Sequence, residues 1–272
     1  MAALAGSAVP VPRMHALCED PAVIDSPFYV TDFVESSVFA DPALPDLTND
    51  ARGAVCGTMN QVIAALHGVD LQTTGLADHG RSPNYLARQI ERWTRRYRAS
   101  ETEPIDAMEQ WVESLPANRP EGDATALVHG DFRIDNLIFH RTEARVLAVL
   151  DWELSTHGHR LVDLACHGMA WRVTPPEFRG LKGHDLAALG IPSEAAYLAD
   201  YSGRTGRAEL PHWDYYLAFN MFRMAAILQG ILARSRQGSA ASAHAERTGQ
   251  QARPMAEAGW RQVQLVQAGS TA

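Results

Sequence analysis

The sequence predicts an α+β fold dominated by helices. Two observations carry that reading. From Thr48 onward, apolar residues recur at helical spacing through most of the chain, while strand-like runs stay short. A polar stretch, His129 to Asn136, is framed by two of those runs.

The elements follow in order. Val9-Pro-Val-Pro12 is an extended lead-in. Met14 to Cys18 is a short apolar run, Glu19-Asp-Pro21 a turn, and Pro27-Phe-Tyr-Val-Thr-Asp-Phe-Val34 a strand rich in aromatic and β-branched residues. Thr48 caps a helix over 49–67, with Val55, Met59, Val62, Ile63 and Leu66 on one face and Gly68 at its end. Ser82-Pro83 opens the next, striped by Leu86, Ile90, Trp93 and Tyr97. Its run Arg92, Arg95, Arg96, Arg98 reads as a solvated face that phosphate-bearing ligands could also use. A third helix runs from Pro104 to Leu115, closed by Pro116 and Pro120. Strands follow at Ala126–Val128, Leu137–Phe139 and Val146–Leu150, then helices near 161–171, 194–204 behind a Ser193 cap, 213–236 and 254–267. Gly238 to Ala245 is a small-residue linker, and His157-Gly-His159 reads as an exposed loop pair.

Bulk properties exclude some functions. A formal net charge of −8 argues against nucleic acid, which needs a basic face. No run of about 18 apolar residues predicts a membrane span, and Met1 to Ala8 lack the basic start of a signal peptide. Cys18, Cys56 and Cys166 stand far apart in no metal-ligand spacing, which fits a reducing cytoplasm.

The polar stretch carries the chemistry. His129-Gly-Asp-Phe-Arg-Ile-Asp-Asn136 lies between strands, and Asp151 follows the strand ending at Leu150. Two carboxylates and an amide oxygen are hard ligands that suit Mg²⁺, which completes its shell with water and phosphate. A carboxylate beside a hydroxyl can accept its proton. Base, metal and cation together are what phosphoryl transfer needs.

The order Asp131, Asn136, Asp151 resembles the catalytic and metal-binding loops of protein kinases. His129-Gly-Asp131, with Val149-Leu-Asp-Trp-Glu-Leu-Ser155 and Asp163-Leu-Ala165, is similar to the aminoglycoside and choline phosphotransferase superfamily, in particular the subgroup fused to acyl-CoA dehydrogenases. The likeness runs from about Val9 to Trp260. It implies a protein-kinase-like fold: residues 1–35 as a β remnant of the N-terminal lobe and hinge, residues 36–272 as the mostly helical C-terminal lobe. It implies ATP as co-substrate, Asp131 as base, Arg133 as a phosphate-contacting cation, Asn136 and Asp151 as Mg²⁺ ligands, and the backbone at Phe33 and Val34 against adenine. Glu153 is, in this reading, a carboxylate either behind the metal ligands or linked to the metal itself, and the acceptor is a small-molecule hydroxyl, a hydroxyacyl-CoA-like metabolite by subgroup. His129 reads as a brace of the catalytic loop, and Asp163 as either a brace of that loop or the cap of its own helix.

The resemblance also calls for a glycine-rich hairpin, a lysine and a helix glutamate ahead of the hinge. Only 27 residues precede Phe28, and the sole lysine is Lys182, so the chain is expected to start inside that lobe and to turn over poorly. Two rival readings remain: a non-catalytic binding module, with a protein partner on the face left bare, and a magnesium-dependent hydrolase built on Asp131 and Asp151.

Overall fold

The structure, a computed structural model, describes residues 1–80, 84–122, 125–240 and 242–269, with side chains as far as 264. The expected Ser82-Pro83 helix start lies outside the described residues. Contacts divide the chain into two units.

The first unit comprises Met1–Gly80, Ala126–His157 and Asp185–Ala208. Strands β1 (Met14–Cys18) and β2 (Phe28–Thr31) pair antiparallel, Leu17 opposite Tyr29. The expected strand through Val34 stops at Thr31; just beyond it the Asp32 N–H still donates across to Arg13 O (3.0 Å) and the Asp32 carboxylate meets His15 (2.5 Å), but Phe33 and Val34 make no further bond to β1 among the described residues.

Helix α1 (Asn49–His67) has the expected bounds and cap, Thr48 accepting from the Ala51 N–H, and all five stripe residues are buried. Within the unit α1 packs on α5 (Leu186–Leu189) and α6 (Glu194–Thr205). Buried Arg52 ties it down, donating to Leu44 O, Pro45 O and Leu189 O. Asn60 donates to Tyr197 O (2.8 Å), and His67 meets the Tyr201 hydroxyl (2.7 Å). Gly190 turns the chain at φ 71° so close to α1 that a Cβ would lie 2.5 Å from Asn49 O; only glycine fits. β4 (Leu137–Phe139) and β5 (Val146–Val149) pair antiparallel.

The second unit comprises Arg81–Thr125, Gly158–His184 and Glu209–Ala272. Its axis is α7 (Trp213–Arg236), matched in bounds by the sequence pattern and packed against α2 (Tyr85–Ser100), α4 (Arg160–Gly168), α8 (Ala245–Gly249) and α9 (Ala252–Gly269). α7 is long and apolar enough to cross a membrane by length and composition, but 83% of its most apolar window is buried inside the protein, as in a core helix. α3 (Asp106–Ala117) extends past its expected end: Pro116 sits inside the last turn, and the helix closes at Asn118, whose N–H and side-chain amide both donate to Ser114 O.

The remaining strands, β3 (Thr125–Val128) and β6 (Thr156–His159), form a two-stranded sheet. β6 corrects the expectation of an exposed His-Gly-His loop. His157 is buried and bonds Leu76 O (2.7 Å). His159 is buried too, accepting from the Leu161 N–H at the start of α4 and stacking on Tyr216.

Candidate active site

The stretch from His129 to Asn136 leaves β3, crosses a bend, makes one 3₁₀ turn (Ile134–Asn136) and enters β4. Phe132, Ile134 and Leu137 are buried and act as anchors, so the intervening polar residues are held outward on a fixed frame.

Two main-chain contacts fix that frame to the strand that delivers Asp151. His129, fully buried, donates from Nε2 to Leu150 O (2.7 Å), and the Leu150 N–H donates to Asn136 O (2.9 Å). The other ring nitrogen, Nδ1, accepts from the Asp131 N–H (3.2 Å). With one nitrogen donating and one accepting, the tautomer is set. The ring also packs against Trp152, 4.9 Å between centroids. His129 thus grips both the loop of Asp131 and the strand end before Asp151.

Gly130 makes the approach possible. Its φ is 84°, and a Cβ there would sit 2.7 Å from Leu154 O and 2.9 Å from the Leu154 Cβ. The turn carrying Asp151 lies directly on the loop from His129 to Asn136.

Within the loop the side chains converge. Asn136 Nδ2 donates to Asp131 O (2.8 Å) and to Asp131 Oδ2 (3.2 Å). The amide nitrogen is thereby committed, which leaves Oδ1 as the group Asn136 can offer to a cation. Arg133 bridges two acids, 3.3 Å from Asp131 and 3.4 Å from Asp135. Asp151 takes a left-handed conformation, φ 62°, at the head of a 3₁₀ turn; it is exposed, and among the described residues its carboxylate makes no hydrogen bond or ion pair. Glu153, two residues on, is exposed as well.

The structure therefore brings Asp131, Arg133 and Asn136 into direct contact and joins Asp151 to them through the backbone at Leu150. Phe33 and Val34 stand apart from that set. Phe33 lies beyond the end of β2 and is 91% exposed, Val34 is half-buried, and among the described residues no hydrogen bond links either to the loop. Ser37, slightly further on, exchanges both backbone hydrogen bonds with Phe139 (2.9 Å each), which stitches the segment after them to β4. Asp163, buried in the first turn of α4, belongs to the other unit.

Sequence reasoning missed the Leu150 stitch, because a backbone partner leaves no side-chain signature. It also missed the meeting of His79 Nε2 with Ser155 Oγ (3.1 Å) at the end of the same turn.

Chemically, the donor set is right for a hard cation that shares phosphate. One carboxylate and one amide oxygen are too few to cage an ion, and among the described residues no cluster of three or more His, Cys, Asp and Glu side chains forms. Mg²⁺ bound with substrate phosphates asks for no more than this.

A helical core, small paired strands and this loop define the protein-kinase-like class of small-molecule phosphotransferases. The family model described as the phosphotransferase enzyme family, APH, matches residues 1–219, and the chain belongs to that family. Acyl-CoA dehydrogenase family member 10 of Mus musculus is 45% identical over 262 residues, covering 96% of this chain; the chain spans 24% of that relative's length. The solved structure of a Ralstonia eutropha JMP134 protein of aminoglycoside phosphotransferase type is 53% identical with a TM-score of 0.90, covering 96% of this chain and 80% of that one. A thermostable mutant of aminoglycoside phosphotransferase APH(4)-Ia, solved with ADP and hygromycin B, shares the fold at a TM-score of 0.57 and 17% identity, covering 93% of this chain and 76% of that one.

Proposed function

We propose that this chain transfers the γ-phosphate of ATP to a hydroxyl of a small molecule. The observation that carries the reading is the double stitch at Leu150, which ties the exposed Asp151 carboxylate to the loop where Asn136 orients Asp131. Asp131 accepts the proton of the acceptor hydroxyl as the acceptor oxygen attacks the γ-phosphorus and the bond to the bridging oxygen breaks, releasing ADP. Its carboxylate is held for that task by the Asn136 amide and the Arg133 guanidinium. Asn136 Oδ1 and Asp151 are the ligands for Mg²⁺, which when bound neutralises charge on the transferring phosphate. Arg133, at the same loop, adds positive charge toward the phosphate while it spans Asp131 and Asp135. The backbone near Phe33 and Val34 is the seat for adenine. The acceptor is a hydroxyacyl-CoA-like metabolite, a choice supported by the chain's likeness to part of an acyl-CoA dehydrogenase family member.

The test is a thermal shift with ATP, with and without Mg²⁺. Wild type is expected to gain stability only when both are present, and Asp151→Ala to lose that gain while keeping its own melting temperature, since the carboxylate is exposed and unpaired among the described residues. An equal shift in Asp151→Ala sinks the metal assignment.

A second reading, a binding module that performs no transfer, is favoured by one feature. The hairpin carries Leu17, Tyr29 and Val30 exposed, with Val23, Ile24 and Phe33 beside them. Absence of any nucleotide-dependent shift in wild type selects this reading.

A further inference from the structure

The described part of α2 carries Arg88, Arg92, Arg95, Arg96 and Arg98, and their surroundings differ. Arg95 reaches Glu91 at 3.7 Å. Arg98 grips Glu109 with both terminal nitrogens and lies 3.5 Å from Glu101. Arg92 and Arg96 have no carboxylate within ion-pair distance among the described residues. Both lie over the indole of Trp93 instead, 5.6 and 4.9 Å from its centroid. A third guanidinium, Arg223 of α7, is buried 5.3 Å from the same ring.

Three cations thus share one indole. The ring attracts each of them. They repel one another, and like charges at i and i+4 on a helix cost stability. Burial, then Arg96, then Arg223 hold the Arg92 guanidinium below its ordinary pKa. Asp163, buried in α4, acts together with Arg223 and Arg92 on the buried Tyr85 hydroxyl. Three guanidiniums thus gather on one ring in a chain whose formal net charge is −8.

We propose that Arg92 and Arg96, backed by Arg223 and oriented by Trp93, form a binding site for a phosphate or diphosphate group. Planar guanidiniums match phosphate oxygens two at a time and are weakly hydrated, so they surrender little on binding. The indole holds their stems in place and lowers the ordering cost. An arriving dianion replaces mutual repulsion with attraction. The diphosphate arm of a coenzyme A thioester and a small free anion present the same chemistry.

Titration calorimetry without ATP or Mg²⁺ tests the site, with inorganic pyrophosphate and coenzyme A as separate probes. Wild type is expected to bind saturably. Arg92→Gln/Arg96→Gln is expected to bind at least about tenfold more weakly, the loss of a charge-assisted hydrogen bond or more. Arg95→Gln, already paired with Glu91, is expected to match wild type. Tighter binding of coenzyme A than of pyrophosphate assigns the site to an acceptor's arm; equal or weaker binding assigns it to a small anion. No saturable binding in wild type, full binding in the double variant, or an equal loss in Arg95→Gln overturns the proposal. Should the glutamine pair fold poorly, Arg92→Lys/Arg96→Lys keeps stems and charge and decides the matter instead: weaker binding supports the site, unaltered binding overturns it. The assay holds neither ATP nor Mg²⁺, so its result is independent of the phosphotransfer reading.

Discussion

Replacing His129 with alanine tests the joint on which the active site depends. The ring is fully buried and makes two hydrogen bonds, one to Leu150 O and one from the Asp131 N–H. Leu150 lies at the edge of solvent, so its carbonyl can recruit water, and the stranded partners cost about 1 kcal/mol each, the low end of the range. Losing an imidazole packed on Trp152 and Phe132 costs roughly 2 kcal/mol more, again the low end for large-to-small changes because the ring is small. The expected loss is about 4 kcal/mol, a large share of the roughly 5–15 kcal/mol that hold a domain together. Urea unfolding at neutral pH measures it. The response to MgATP should vanish in the same variant, because Asp131 and Asp151 are no longer clamped to a common frame. His129→Gln retains an amide donor for Leu150 O and should recover part of both. A stability loss under about 1 kcal/mol, with the MgATP response intact, would refute the idea that this histidine assembles the site.

Two further outcomes are expected. Gly130→Ala forces φ 84° on a residue with a Cβ and drives that carbon against Leu154 O; backbone strain of about 1–2 kcal/mol and overpacking of about 1–3 kcal/mol should show as a lowered urea midpoint. His167, buried and pushed down by that burial to about 4 from the ordinary 6.5, stays neutral in the folded protein while the unfolded chain takes up a proton. Its contribution is therefore complete above pH 6.5 and is lost as pH falls toward 4, by roughly 3 kcal/mol; unfolding measured across that window should flatten in His167→Gln.

Much of this was legible in the sequence, for local reasons. α1 carried its own start, stop and stripe in Thr48, Gly68 and the run from Val55 to Leu66. α7 was long enough for its pattern to dominate. Asp131, Arg133 and Asn136 lie within six residues, so one loop brings them together whatever the rest does. The misreadings concern residues whose environment is set from a distance. β6 looked polar because its histidines are satisfied by Leu76 O and Tyr216, far away in sequence. Phe33 looked like strand because it is apolar, yet it projects into solvent. The arginines of α2 looked equivalent until Glu91, Glu101 and Glu109 claimed two of them and Arg223 arrived beside the others.

The hairpin of β1 and β2 has a practical consequence. It forms a two-stranded ribbon with no third strand at either side among the described residues, and most of its residues are open to water. Such a ribbon is barely stable by itself and presents unpaired amides and carbonyls as a template for another strand. With Leu17, Tyr29 and Val30 on its surface, the ribbon is where self-association at high concentration is expected to begin and where a single lysine on an edge is expected to improve handling most.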